Sequence, residues 1–175
     1  MKLNYETEKQ MYPDVAKWLH ELLQGRYRAA KYEVRDTHAA PLNEYITRHG
    51  LQDYFDGDQW QTYDIRVDLT AFVKSKNSKG LVFVECKITS IALLNISQLL
   101  GYSRVALPLS SYLISSKGIG TSVQSLITKY GRSDILEYHW EKGKSPRKIV
   151  IAKWDYGSKS IDSNSVLPPG SSGQL

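Results

Sequence analysis

The chain holds a single cysteine in 175 residues, Cys86, so neither a disulfide nor a cysteine-based metal cluster can form within it. Cys86 lies in an apolar stretch, where a thiol behaves as a small buried hydrophobe. No apolar run approaches the ~20 residues that a membrane-spanning helix needs. The start, Met1-Lys2-Leu3-Asn4, lacks an apolar signal core, and the expectation is a cytoplasmic protein with no membrane partner. The four histidines, His20, His38, His49 and His139, show no metal-ligand spacing. There is no phosphate-cradling glycine loop and no serine nucleophile elbow, which removes P-loop and α/β-hydrolase chemistry from consideration. No internal repeat is present.

What the chain does have is the composition of a globular domain: 41% hydrophobic and 23% charged residues, enough for one core and too little for two. A formal charge of +5 leans towards a polyanionic partner. Residues 1–155 read as one domain. From Tyr156 the sequence turns rich in Ser, Gly and Pro, and 156–175 reads as a flexible C-terminal tail.

Met11, Val15, Leu19 and Leu22 share one helical stripe, giving a first helix that ends near Gly25. Its start is open: Thr7 with Gln10 fits a capping box that leaves Pro13 inside the helix, or Pro13 takes the first turn. Strands are expected over 27–35, 64–73, 81–88 and 111–115. Helices are expected over 41–49, 92–107 and from Thr121 to Gly131, and two last strands over 135–140 and 148–154. Over 64–73 the alternation places Ile65, Val67, Leu69, Ala71 and Val73 on one side, with Asp68, Thr70 and Phe72 on the other. The order is helix, strand, strand, strand, helix, strand, with a helical insert after the first strand, and it implies an α/β sandwich.

Polar residues interrupt the apolar strands at few points. Asp68 stands on the second strand. Glu85 and Lys87, two apart on the third, share a face. Gln98 and Tyr102 follow at helical i, i+4 spacing. Buried carboxylates need partners, and two that stay ionised side by side call for a cation. A divalent metal is a natural one, so the pattern suggests magnesium-dependent phosphodiester chemistry. Each residue also has a plainer reading: Asp68 as a solvated strand residue, Glu85 with Lys87 as a strand-end ion pair, Gln98 with Tyr102 as a polar helix face, and Glu8 as a first-turn acid.

Over roughly Glu8 to Ser115 the chain resembles the PD-(D/E)XK nuclease superfamily, also called restriction-endonuclease-like. Asp68, preceded by Val67 where the nominal motif has proline, stands at the first acidic position. Glu85-Cys86-Lys87 fits E-x-K, Gln98 and Tyr102 fit the Q-x-x-x-Y helix motif of RecB-like members, and Glu8 matches an acid that many members carry on the first helix. The resemblance implies an αβββαβ core with a mixed central sheet flanked by helices. It also implies a Mg2+ site, open to Mn2+, made by Asp68, Glu85, the Cys86 backbone carbonyl and Glu8, with Glu6 as the rival helix acid. Lys87 would orient the attacking water or stabilise negative charge, and Gln98 and Tyr102 would hydrogen-bond the lysine or a substrate phosphate. The implied activity is hydrolysis of phosphodiester bonds in DNA, whether duplex, branched or single-stranded. The alternative is a non-catalytic nucleic-acid-binding or scaffold protein on the same frame. A homodimer or a protein partner stays open.

Overall fold

The structure is a computed structural model describing residues 4–76 and 78–175. Met1 to Leu3, which carry the reading of a leaderless start, and Asn77 lie outside the described residues. The first helix, α1, runs Glu8–Arg26 with Thr7 as its N-cap, so Pro13 sits inside it. The Gln10 side chain turns back to accept the N–H groups of Glu6 and Thr7. That satisfies donors which the first turn of any helix leaves without partners. Then follow β1 (Lys31–Asp36), α2 (Leu42–His49), β2 (Leu69–Lys74), β3 (Lys79–Lys87), α3 (Leu93–Ala106), β4 (Ser110–Ser115) and α4 (Thr121–Thr128). The short β5 (Glu137–His139), the long β6 (Arg147–Asp155) and the two-residue β7 (Ser160–Ile161) complete the order.

The strands form one mixed sheet in the order β1-β2-β3-β4-β6-β5, with β7 on β6. The β1–β2 and β2–β3 pairs are antiparallel; β3–β4 and β4–β6 are parallel. Alternation along β3 sorts its residues between two cores. Val82, Val84 and Cys86 pack under α1 against Met11, Val15 and Leu19. Leu81 and Phe83 face the other way, with Ile46 of α2, Ile96 and Leu99 of α3, and Val123 and Ile127 of α4. Both faces of β3 are therefore covered, which explains its nearly unbroken apolar run. Each such side chain removed from water contributes about 1.5–3 kcal/mol.

Two expectations need correction. The first is the strand over 64–73, which begins only at Leu69. Ile65 and Val67 belong to the core on the α3 side, whereas Leu69, Ala71 and Val73 belong to the α1 side, so the alternation slips phase at Asp68. The cause lies in the backbone: the carbonyls of Tyr63 and Ile65 accept the Asn43 and Leu42 N–H groups at the start of α2, not those of a neighbouring strand.

The second is the flexible tail. Leu167 exchanges both backbone hydrogen bonds with Ile151 of β6, at 2.8 Å each, and Val166 and Leu167 are buried. The Gln174 carbonyl accepts the Tyr112 hydroxyl at 2.7 Å and also a bond from the Arg26 guanidinium. The segment has few apolar groups, but backbone pairing and two of those groups anchor it along β6.

Candidate functional site

Asp68 sits just before β2, at the level where β3 continues past its antiparallel partner. The last β2–β3 pair is Leu69 with Val84, so the β2 side of Glu85-Cys86-Lys87 has no strand alongside it. The Asp68 carboxylate takes that place: Oδ2 accepts the Cys86 N–H at 2.8 Å, and Oδ1 accepts the Tyr12 hydroxyl at 2.5 Å. The backbone alternation that turns the Cys86 N–H towards Asp68 turns the Cys86 carbonyl the same way. The Cys86 thiol itself points into the α1 core, where burial pushes it up and keeps it protonated.

Glu85 is 3% exposed and Asp68 8%. Glu85 Oε1 accepts Lys87 Nζ at 3.0 Å and Gln98 Nε2 at 3.5 Å, and Gln98 Nε2 also donates to the Tyr102 hydroxyl at 3.1 Å. Glu85 Oε2 is buried with no hydrogen-bond partner among the described residues. Burial, then the neighbouring Asp68 carboxylate, push the Glu85 carboxyl up to about 7, against the pull of Lys87. Lys87 Nζ also reaches Glu8 Oε2 at 3.5 Å. Burial works against the Lys87 charge, but Glu85, Asp68 and Glu8 outweigh it and hold the ammonium above its ordinary range.

The structure thus brings Glu8, Asp68, Glu85, Lys87, Gln98 and Tyr102 to one end of β3. Glu8 arrives from α1 and Gln98 and Tyr102 from α3, so the cluster bridges both layers across the sheet rim. Glu6 lies exposed outside α1. Tyr12, buried and bonded to Asp68, is the member that sequence reasoning missed. Its signal was its place four residues after Glu8, which sets the two side chains one turn apart on one helix face. Burial and the Asp68 bond raise its phenol well above the ordinary range, so it stays a donor. A cavity of about 230 Å3, walled by Tyr54, Phe55, Trp60, Tyr63 and Lys79, lies at the opposite end of β3 and takes no part in the cluster.

The oxygen donors fit a hard divalent cation in one specific sense. Glu85 Oε2 is a buried carboxylate oxygen with no donor, and it stands beside a second carboxylate. Among the described residues, no group of three or more His, Cys, Asp or Glu is arranged to hold a metal. Lys87 Nζ stands between Glu8 and Glu85, which accounts for the missing third carboxylate. The set is therefore two carboxylates and a carbonyl, and magnesium commonly completes such a shell with water.

Comparison with known proteins finds no matching family model, curated protein or solved structure. Among the described residues no helix is long and apolar enough to cross a membrane.

Proposed function

We propose that the protein is a metal-dependent nuclease with a restriction-endonuclease-like core, hydrolysing phosphodiester bonds in DNA. The observation that carries this reading is the orphaned, buried Glu85 Oε2 set beside Asp68, with a lysine two residues along the same strand. A buried polar atom without a partner costs about 1–3 kcal/mol, a cost that a cation bound by that oxygen would remove. The run α1, β1, β2, β3, α3, β4, interrupted only by α2, supports the αβββαβ frame.

Mg2+, or Mn2+ in its stead, held by Asp68, Glu85 and the Cys86 carbonyl, would supply an activated water and neutralise charge on the phosphate. The chain's own residues do the rest. Tyr12 and the Cys86 N–H fix the Asp68 carboxylate from two sides, leaving a lone pair free on each oxygen. Gln98, braced by Tyr102, sets the Glu85 rotamer. Lys87 keeps its proton and offers positive charge to a phosphate oxygen or hydrogen-bonds the attacking water. Glu8 holds the lysine until a substrate competes for it.

One observation favours the non-catalytic alternative: Lys87 already closes on both Glu8 and Glu85 and is itself only 12% exposed. Cleavage assays on single-stranded, duplex and branched DNA separate the two. Magnesium-dependent cleavage that Glu85→Gln abolishes supports the nuclease; tight DNA binding without cleavage supports the scaffold.

A further inference from the structure

Strand register carries the site's row onward across the sheet. Lys87 of β3 pairs with Ser115 of β4, and Ser115 pairs with Lys153 of β6, all at the carboxyl ends of parallel strands. These three positions alternate in step with Glu85, Leu113 and Ile151, so they share the α3 and α4 face of the sheet. Adjacent strands lie about 4.8 Å apart, which places the Lys153 backbone roughly 10 Å from that of Lys87. Lys117 lies two residues beyond the end of β4. Carboxylates thus gather on the β2 flank of Lys87, and two exposed lysines stand on the β4 and β6 flank. Neither Lys117 nor Lys153 has an ion-pair partner among the described residues. The nearest acid along β6, Asp155, is engaged in its own turn by Gly157 N–H and Ser158.

The loops that present this flank are tied together. Ser116 N–H donates to the Lys87 carbonyl, Ile91 N–H to the Gly118 carbonyl, and Gly120 N–H to the Ile91 carbonyl, at 2.9–3.0 Å. The buried Ser115 hydroxyl donates to the Thr89 carbonyl and accepts the Lys117 N–H. Glycine is required twice. Gly118 has φ +83° and lies against the Lys153 stem, and a Cβ on Gly120 would stand 2.7 Å from the Ile91 carbonyl oxygen. The lysines are therefore mounted on a fixed platform; among the described residues neither forms an ion pair, and Asp155, which feels the Lys153 charge, is bonded within its own turn.

The geometry points to a second phosphate subsite: Lys117 and Lys153 hold a backbone phosphate of the nucleic acid next to the one at Lys87. This rests on the reading of the site as a nuclease acting on DNA. The two lysines touch no reacting atom and act as positioning residues. They fix which way the strand crosses the sheet rim, from the carboxylate flank to the lysine flank.

The test is fluorescence anisotropy of labelled DNA against salt, without divalent metal, on the parent, a Lys117→Ala/Lys153→Ala variant and a control. The control, Lys129→Ala/Lys142→Ala, removes the same charge away from the row. Losing the contact to that one phosphate should lower the slope of log K against log [salt] by about 1. In cleavage assays the variant should raise KM while kcat stays at the parental value, and the control should change neither. Equal slopes and KM for the variant and the control would overturn the subsite even if the parent cleaves DNA. A slope change without parental cleavage would keep the subsite and remove the nuclease. Poly-glutamate binding as tightly as DNA would assign the row to an acidic protein and overturn the proposal, as would no DNA binding at all.

Discussion

Tyr12 and Asp68 are 56 residues apart in sequence, and their side chains meet at 2.5 Å in the interior. This contact ties the first turns of α1 to the point where the chain enters β2. It explains how Asp68 can be nearly buried with no ion pair among the described residues: its oxygens are held by a phenol and a backbone N–H. A carboxylate held in this way has one orientation, as a metal ligand or a structural cap requires.

Tyr12→Phe removes one donor and keeps the ring. The Asp68 oxygen left behind is buried, so unfolding free energy from urea titration should fall by about 1–3 kcal/mol. If Asp68 binds a cation, the freed oxygen also loses its fixed direction and Mn2+ affinity should drop in the same variant. Unchanged stability would mean that the contact carries no weight.

Glu85 sets a pH dependence. Its carboxyl is raised from the usual 4.5 to about 7, so between those values the folded protein keeps a proton that the unfolded chain has released. That contribution to stability is complete below pH 4.5 and is lost as pH rises through 7. The slope is at most about 1.4 kcal/mol per pH unit. Glu85→Gln should flatten this part of the profile in denaturant titrations at pH 5 and pH 7.5. Identical profiles for the parent and the variant would contradict the assignment.

A bound divalent cation should act in the opposite direction, since it favours the ionised carboxylate. At a concentration of 100 times Kd it should stabilise the parent by about 2.7 kcal/mol. For a chain of this size that is roughly 5–10 °C in Tm. The gain should be larger at pH 8 than at pH 5 and absent in Glu85→Gln. Scanning calorimetry with and without Mn2+ measures it.

The C-terminal segment should matter for folding. Leu167 is 7% exposed and pairs with Ile151, so Leu167→Ala should cost about 2–3 kcal/mol, towards the low end for buried leucines. A flexible tail would give a loss too small to resolve.

Much of the frame was legible because the buried stripes are unambiguous. Met11, Val15 and Leu19 repeat at helical spacing, and the run from Leu81 to Cys86 suits only a covered strand. Glu85 and Lys87 were placed on one face by the period of two alone. What stayed hidden depends on contacts distant in sequence. The alternation from Ile65 to Val73 looks continuous, yet its two halves bury into different cores, because the backbone of 63–65 serves the start of α2. Tyr12 went unread: its spacing from Glu8 puts it on that acid's helix face, but only the fold shows that its phenol reaches Asp68. Composition misled over 156–175 because it averages out Val166 and Leu167, the two apolar groups that anchor the segment.

Lys87→Ala separates chemistry from packing. It should lower turnover by on the order of 10²–10⁴-fold, the usual cost of losing an acid–base or charge-stabilising group. Mn2+ affinity should survive, since the lysine supplies no oxygen ligand. Parental turnover in the variant would remove Lys87 from the mechanism.

Single-turnover cleavage of labelled DNA in Mg2+ or Mn2+ tests the central claim most directly, with Glu85→Ala checked for folding by circular dichroism. The account predicts that the parent cleaves at least one of single-stranded, duplex or branched DNA. It predicts that a chelator stops the reaction and that folded Glu85→Ala shows none. A parent that leaves every substrate intact in both metals, or a folded Glu85→Ala that cleaves at the parental rate, would contradict it.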